Sequence, residues 1–141
     1  MIDDSVLWND WYIVAAARDL DDETPLAVRV WDTELVVWRA GDAVMAWKDY
    51  CIHRGAKLSP GRVKDGNIVC PYHGWRYDPS GACTLVPAHP DVKPPAKAHA
   101  ITYNSVEQDG YIWVSLGDPA GDPPRFPEHA DDSYRKVLVG P

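Results

Sequence analysis

Four residues that could bind a metal occur as two short pairs in the middle of the chain. The first pair lies in Cys51-Ile52-His53 and the second in Cys70-Pro71-Tyr72-His73, which gives the spacings C-x-H and C-x-x-H. Thiolates combined with imidazoles suit zinc or an iron–sulfur cluster. A two-iron cluster needs two protein ligands on each iron, and two loops that each supply one Cys and one His can hold it from both sides.

A glycine stands close after each histidine. Gly55 follows His53 by two residues, and Gly74 directly follows His73. Glycine allows backbone N–H groups to approach the bridging sulfides of a cluster closely, and such hydrogen bonds tune its redox potential. We therefore expect both glycines to belong to the cluster-binding loops.

The segments CIHRGAKLSPG and CPYHGWRYDPSG resemble the two cluster-binding segments of Rieske proteins. The agreement includes Arg54-Gly55-Ala56, Leu58-Ser59 and Gly74-Trp75 as well as the ligand pairs, and the wider resemblance covers roughly residues 8 to 118. It implies one [2Fe–2S] cluster per chain. Cys51 and Cys70 would bind one iron, His53 and His73 the other, and Arg54, Gly55, Gly74 and Trp75 would adjoin the cofactor.

The details of the two segments resemble one branch of that family. Respiratory Rieske proteins carry an additional cysteine in each loop and join the loops by a disulfide, but the equivalent positions here are Ala56 and Tyr72. An arginine after the first histidine and the sequence His-Gly-Trp resemble the aromatic-ring-hydroxylating oxygenases. The resemblance implies an electron-transfer domain that receives electrons from a reductase or ferredoxin. It would pass them to a mononuclear iron in an oxygenase catalytic domain or subunit.

Several residues permit more than one interpretation. The two pairs could form a zinc site, although C-x-H followed by C-x-x-H is an unusual zinc arrangement. We expect Cys83 to be a partly buried small hydrophobic residue and His89, His99 and His129 to be surface or capping residues, since they form no facial-triad spacing. Arg54 could contact the cluster or a partner carboxylate, or be solvated. Pro87 fits a third loop that covers the cluster and equally a plain turn.

The composition indicates one domain that does not bind nucleic acid. The 141 residues are 45% hydrophobic and include seven Trp and seven Tyr, enough for a substantial core. The formal charge of −7 argues against phosphate backbones and anionic membranes. The acidic N-terminal sequence and the lack of any 18-residue apolar run predict a cytoplasmic protein without a membrane segment. Three cysteines without framework spacing argue against a disulfide-stabilised secreted module.

Short β-rich runs between glycines and prolines predict a mostly β fold. With the resemblance, the expected architecture is a Rieske-type antiparallel β-sandwich or barrel with a small cluster-binding subdomain of two loops. The candidate strands are residues 11–16, 26–30, 34–39, 44–48, 67–70, 99–106 and 111–116. Glycines in residues 40–42, 64–66 and 108–110 predict hairpin turns of a meander. In the last strand we expect Ile112, Val114 and Leu116 to form the core face, and we expect Trp31, Trp38 and Trp47 to pack in the core.

The sequence suggests a boundary near residue 118. Residues 1–118 form the expected Rieske [2Fe–2S] domain. Residues 119–141 are rich in Pro and Asp, which predicts a linker or arm leading towards a catalytic domain that is absent, and the ending KVLVGP resembles the start of a strand. This tail favours part of an oxygenase large subunit. The alternative is a stand-alone Rieske ferredoxin, which should end soon after Leu116.

Overall fold

The computed structural model describes residues 4–137, which form ten short strands and little helix. A single helical turn, α1 (Ser5–Trp8), is capped by the carboxylate of Asp4, and 3-10 turns occupy Ala17–Asp19 and Pro127–Ala130. The strands are β1 (Tyr12–Ala16), β2 (Leu26–Val30), β3 (Thr33–Ala40), β4 (Ala43–Lys48), β5 (Arg62–Lys64), β6 (Asn67–Val69), β7 (Arg76–Tyr77), β8 (Cys83–Leu85), β9 (Thr102–Gln108) and β10 (Tyr111–Ser115). No helix among the described residues is long and apolar enough to cross a membrane.

Six strands form a nearly closed, barrel-like antiparallel sheet in the order β1-β10-β9-β4-β3-β2. Its interior is aliphatic, with fully buried side chains such as Leu35, Val37, Ala46, Ile112 and Val114. These residues alternate along their strands, as the period of two in a pleated sheet requires. The mostly β class predicted from the sequence is confirmed.

The remaining four strands form a small sheet in the order β5-β6-β7-β8, inserted in the connection from β4 to β9. A second core lies between this sheet and the barrel. The other face of β3 contributes Val36 and Trp38, and the rings of Trp47 and Tyr77 pack edge to face with a centroid distance of 6.2 Å. Because β3 is buried on both faces, its sequence is a continuous apolar run rather than an alternation.

The three hairpins predicted from glycine positions are confirmed. They join β3 to β4, β5 to β6 and β9 to β10, and Gly41, Gly66 and Gly110 all have positive φ. The predicted strands are confirmed with small shifts, the largest being β9, which begins at Thr102 rather than at residue 99. The sequence prediction missed β5, β7 and β8, because two or three residues are too few to show a periodic pattern.

One prediction about aromatic packing was wrong. Trp31 is not in the core: it lies on the β2–β3 turn with φ 53°, is 44% exposed and contacts Tyr12 edge to face. The core face predicted for β10 is confirmed, since Ile112, Val114 and Leu116 are buried, and its opposite face is covered as well, with Trp113 4% exposed and Ser115 0% exposed. The ring of Phe126, from the segment after the barrel, stacks over Trp113 with a centroid distance of 5.9 Å and supplies the missing cover.

The segment after residue 118 runs along the barrel. The side-chain amide of Gln108 donates to the carbonyls of Pro123 and Pro124, and the indole N–H of Trp11 donates to Gly121. The boundary predicted near residue 118 remains a prediction. The last four residues of KVLVGP lie outside the described residues, so the strand predicted there has no structural counterpart to compare.

Candidate metal centre

The two candidate cysteine ligands lie in the core between the barrel and the small sheet. Cys51 follows β4 closely, Cys70 directly follows β6, and each is 2% exposed. The Sγ atom of Cys51 lies 3.1 Å from the hydroxyl of Tyr77. Burial raises the pKa of the Cys51 thiol. Hydrogen bonds from Tyr77 and from the backbone N–H of His53 oppose that shift, and the adjacent Cys70 thiol adds to it.

The two ligand loops have the same backbone hydrogen-bond pattern. In loop 1 (residues 51–56) the N–H of Gly55 donates to the carbonyl of Cys51, whose own N–H donates to Ala56. In loop 2 (residues 70–75) the N–H of Gly74 donates to the carbonyl of Cys70, whose own N–H donates to Trp75. Two segments that are remote in sequence therefore form similar tight turns, each with one Cys and one His.

Both glycines stand where a side chain would be costly. Gly55 has φ +72° and Gly74 has φ +71°, in the left-handed region that disfavours residues with a Cβ. A Cβ at Gly55 would lie 2.9 Å from the ring of Tyr50, and one at Gly74 would lie 3.2 Å from Cγ of Pro87. The contact with Pro87 also places the segment after β8 against loop 2.

The two imidazoles lie side by side at the edge of this core. The rings of His53 and His73 have a centroid distance of 4.7 Å, and His53 stacks on Trp75 at 4.4 Å. The Nδ1 atom of His53 is buried and has no hydrogen-bond partner among the described residues. Burial lowers the pKa of His53, and the nearby His73 and Arg54 lower it further. His73 itself is exposed, beside the exposed ring of Tyr72.

The four donors are arranged as a thiol pair and an imidazole pair. Within residues 4–137, no group of three or more Cys, His, Asp or Glu side chains is placed to hold one metal ion. A tetrahedral zinc ion would need all four donors around one point. Two separate pairs match a two-iron cluster, in which each iron takes two protein ligands. A buried imidazole nitrogen without a partner also fits a metal ligand, since an unpaired buried polar atom is otherwise costly.

Two residues that support loop 1 and its cysteine were not singled out from the sequence. The buried carboxylate of Asp49 accepts hydrogen bonds from the backbone N–H groups of Leu58 and Ser59 and from the Ser59 hydroxyl. Tyr77 lies 26 positions beyond Cys51 and meets it only in the folded chain. Burial raises the pKa of the Tyr77 hydroxyl far above its usual value, so it stays protonated and can donate to sulfur. An aspartate directly after an apolar strand was the one signal available for Asp49.

Among the described residues, Cys83, the remaining histidines and Arg54 do not come together as a second metal site. Cys83 is buried, and its thiol lies 3.6 Å from the carbonyl of Leu85. His89 and His99 are exposed, and His129 packs beside Gly110 at the far end of the barrel. Arg54 is exposed and forms no ion pair within the described part of the chain.

A barrel with an inserted small sheet that presents two Cys-His loops defines the class of iron–sulfur domains called Rieske domains. The family model for the Rieske [2Fe-2S] domain matches residues 10–96. The chain belongs to this family, whose cofactor is a [2Fe–2S] cluster, and the cofactor predicted from the two motifs is confirmed at the level of the family.

The similar proteins include oxygenase components. The chain is 38% identical to methylxanthine N1-demethylase NdmA of Pseudomonas putida over 92% of its own length and 38% of the relative's. It is 39% identical to the oxygenase component of dicamba O-demethylase of Stenotrophomonas maltophilia, over 92% of this chain and 39% of that protein. The solved structure of apo dicamba monooxygenase superposes with a TM-score of 0.83 at 39% identity, covering 93% of this chain and 42% of the other. The chain thus spans about two fifths of the length of these relatives.

Proposed function

We propose that Cys51 and Cys70 bind one iron of a [2Fe–2S] cluster and that His53 and His73 bind the other. In this proposal the chain passes single electrons from a reductase or ferredoxin to the mononuclear iron of an oxygenase catalytic domain or subunit. The observation that carries the assignment is the buried, unpartnered Nδ1 of His53. It lies in a loop with the same hydrogen-bond pattern as the loop of His73.

The residues of the two loops divide the work between the interior and the surface. The cluster, when bound, supplies reversible one-electron transfer. Tyr77 and the backbone N–H of His53 direct hydrogen bonds at the Cys51 sulfur and favour its thiolate form. His73 and Tyr72 are exposed, so a redox partner can approach the imidazole side closely. The chain therefore keeps the thiolates away from water and offers the imidazoles as the contact edge.

The choice of ligands also sets the range of the redox potential. Two neutral imidazoles in place of two thiolates make the site less negative by two charges, which favours acceptance of an electron. Rieske centres lie at about −150 to +300 mV, against about −400 mV for plant-type ferredoxins. We expect a redox potential towards the low end of this range. Trp75, beside the second ligand pair, has no hydroxyl that could donate a hydrogen bond to the cluster, and the two loops share no disulfide.

The decisive experiment is an EPR spectrum of the dithionite-reduced protein, with iron, zinc and acid-labile sulfide measured on the same sample. We expect a rhombic signal with an average g below that of all-cysteine ferredoxins, and two irons and two sulfides per chain. A colourless, EPR-silent protein with one zinc would overturn the proposal in favour of a zinc site.

The histidine ligands can be tested separately. Replacing His53 or His73 by Cys should retain a cluster but lower its potential, because each thiolate adds one negative charge. His89→Cys is the matched control, since His89 is exposed and lies outside both loops. An unchanged potential in both loop variants would contradict ligation by histidine.

A second candidate is a carrier function, in which the domain delivers electrons without belonging to an oxygenase. The chain is also 38% identical, over 82% of its own length and 20% of the relative's, to a protein named oxidoreductase NdmD of Pseudomonas putida. A carrier should oxidise a ferredoxin and reduce several oxygenases in trans, whereas an oxygenase domain should serve one catalytic unit.

We propose a cytoplasmic location for either function, because cluster thiolates and the buried thiol of Cys83 persist best in a reducing compartment.

A further inference from the structure

Charge is divided unevenly between the cluster end and the rest of the chain. Residues 50–101, which join β4 to β9 and include both ligand loops, contain seven Lys or Arg and three Asp or Glu, a formal charge of +4. The other residues contain seven Lys or Arg and eighteen Asp or Glu, a formal charge of −11. An acidic barrel therefore carries a basic cluster end.

The basic side chains of the cluster end are exposed and mostly free of internal partners. Arg54, Arg62, Lys64, Lys93 and Lys97 are exposed, and none forms an ion pair with the described part of the chain. Lys57 is the exception, since its ammonium group lies 2.9 Å from Glu34. Because these exposed cations form no ion pair within the described part of the chain, their charge remains available to an external anion.

Arg54, Arg62, Lys93 and Lys97 come from segments that adjoin the two ligand loops, whereas Lys64 lies at the β5–β6 turn. Arg54 directly follows His53, and Arg62 pairs across the small sheet with Val69, the residue before Cys70. Lys93 and Lys97 belong to the segment that begins at Pro87, in contact with Gly74 of loop 2. The exposed ring of Tyr72, 64% accessible, adds an apolar contact at the imidazole edge.

We propose that this basic surface of the cluster end, together with the exposed His73, is the docking surface for an electron-carrier protein with carboxylates around its redox centre. The proposal rests on the proposed electron-transfer function and names the chemistry of the partner. A partner must approach the imidazole edge for rapid electron transfer, and there it meets cations although the molecule as a whole carries −7. The acidic barrel repels such a carrier while the cluster end attracts it, so the encounter is oriented as well as accelerated.

The test is the ionic-strength dependence of electron transfer from a reduced, acidic plant-type [2Fe–2S] ferredoxin to the oxidised protein, followed by stopped flow. Local attraction predicts a second-order rate constant that falls as salt rises, whereas the overall charge of −7 predicts one that rises. The double variant Lys93→Glu with Lys97→Glu should lower the rate constant at low salt roughly tenfold, a modest share of the range known for electrostatic steering.

The matched control is the double variant Arg18→Glu with Arg125→Glu, which changes the net charge by the same amount. Both arginines lie near the β9–β10 turn. Arg18 follows β1, whose last residue Ala16 pairs with Tyr111 beside that turn. Arg125 precedes Phe126, whose backbone N–H donates to the carboxylate of Asp109 in the turn. This turn lies at the end of β9 away from the insertion, so the control should change the rate constant by less than about twofold.

Three outcomes decide the proposal. Equal slowing in both double variants, or a rate constant that rises with salt, would overturn the docking surface and leave the cluster assignment intact. Failure of the ferredoxin to reduce a protein that gives a Rieske EPR signal after dithionite reduction would do the same. Absence of that EPR signal would overturn the cluster assignment and the docking surface together.

Discussion

The two ligand loops are nearly identical in their backbone hydrogen bonds and very different in their surroundings. The buried carboxylate of Asp49, just before loop 1, accepts hydrogen bonds from Leu58 and Ser59 just after it and so holds the two ends of the loop together, and the imidazole of this loop stacks on Trp75. Loop 2 leaves both Tyr72 and His73 exposed. The shared pattern positions one Cys and one His in each loop, while the surroundings make one loop the anchor and the other the contact edge.

The largest expected effect is the loss of a cysteine ligand in either loop. Replacing Cys51 or Cys70 by Ala should abolish cluster loading and unfold both loops, because metal binding forms part of the folding free energy. Absorbance, iron content and thermal unfolding measure the result. Cys83→Ala is the control, since this buried thiol lies outside both loops and its loss should leave a loaded cluster. A stable, coloured Cys70→Ala protein would contradict the ligand assignment.

The anchoring of loop 1 can be removed through Asp49. Asp49→Ala deletes the acceptor of three hydrogen bonds and leaves the buried N–H of Leu58 unpaired, so the free energy of unfolding should fall by about 3 kcal/mol. Urea unfolding of the loaded protein measures this, with Asp22→Ala, at an exposed residue outside the strands, as the control. Equal stability of the two variants would show that loop 1 does not depend on this carboxylate.

The two glycines should differ in their tolerance of a side chain. Alanine in the left-handed region costs about 1–2 kcal/mol at either position. Gly55→Ala must also displace the ring of Tyr50, only 2.9 Å from the added Cβ, whereas Gly74→Ala meets Pro87 at 3.2 Å. Gly55→Ala should therefore destabilise the protein more. Adding Tyr50→Ala should remove the excess, and a difference that persists in that double variant would contradict the steric explanation.

The smallest expected effect concerns the potential. Tyr77→Phe keeps the buried ring and removes the hydroxyl that lies 3.1 Å from Sγ of Cys51. A hydrogen bond that favours the reduced state by about 1 kcal/mol corresponds to about 40 mV, so the potential should fall by that order. Protein-film voltammetry measures the shift. Tyr72→Phe, which alters an exposed tyrosine in loop 2, should leave the potential unchanged.

The sequence predicted the features that are local along the chain. Each ligand pair and each hairpin turn spans only a few residues, so its spacing alone indicates a turn or a loop. The contact of Tyr77 with Cys51 and the pairing of the short strands β7 and β8 depend on the tertiary fold. Trp31 was misassigned because its hydrophobic side chain suggests burial, whereas its position on a tight turn with positive φ places it at the surface.

The connection from β4 to β9 has one further consequence. The backbone N–H of Lys48 bonds to the carbonyl of Ile101, and Trp47 pairs with Thr102, so the chain leaves the barrel and returns to it at adjacent positions. The cluster-binding segment, residues 50–101, is thus an insertion between two neighbouring antiparallel strands, and a short turn could join β4 to β9 in its place. The inserted segment packs on the apolar face of the barrel formed by Val36, Trp38 and Trp47. Another barrel would need the same apolar face before it could accept this cluster-binding insertion.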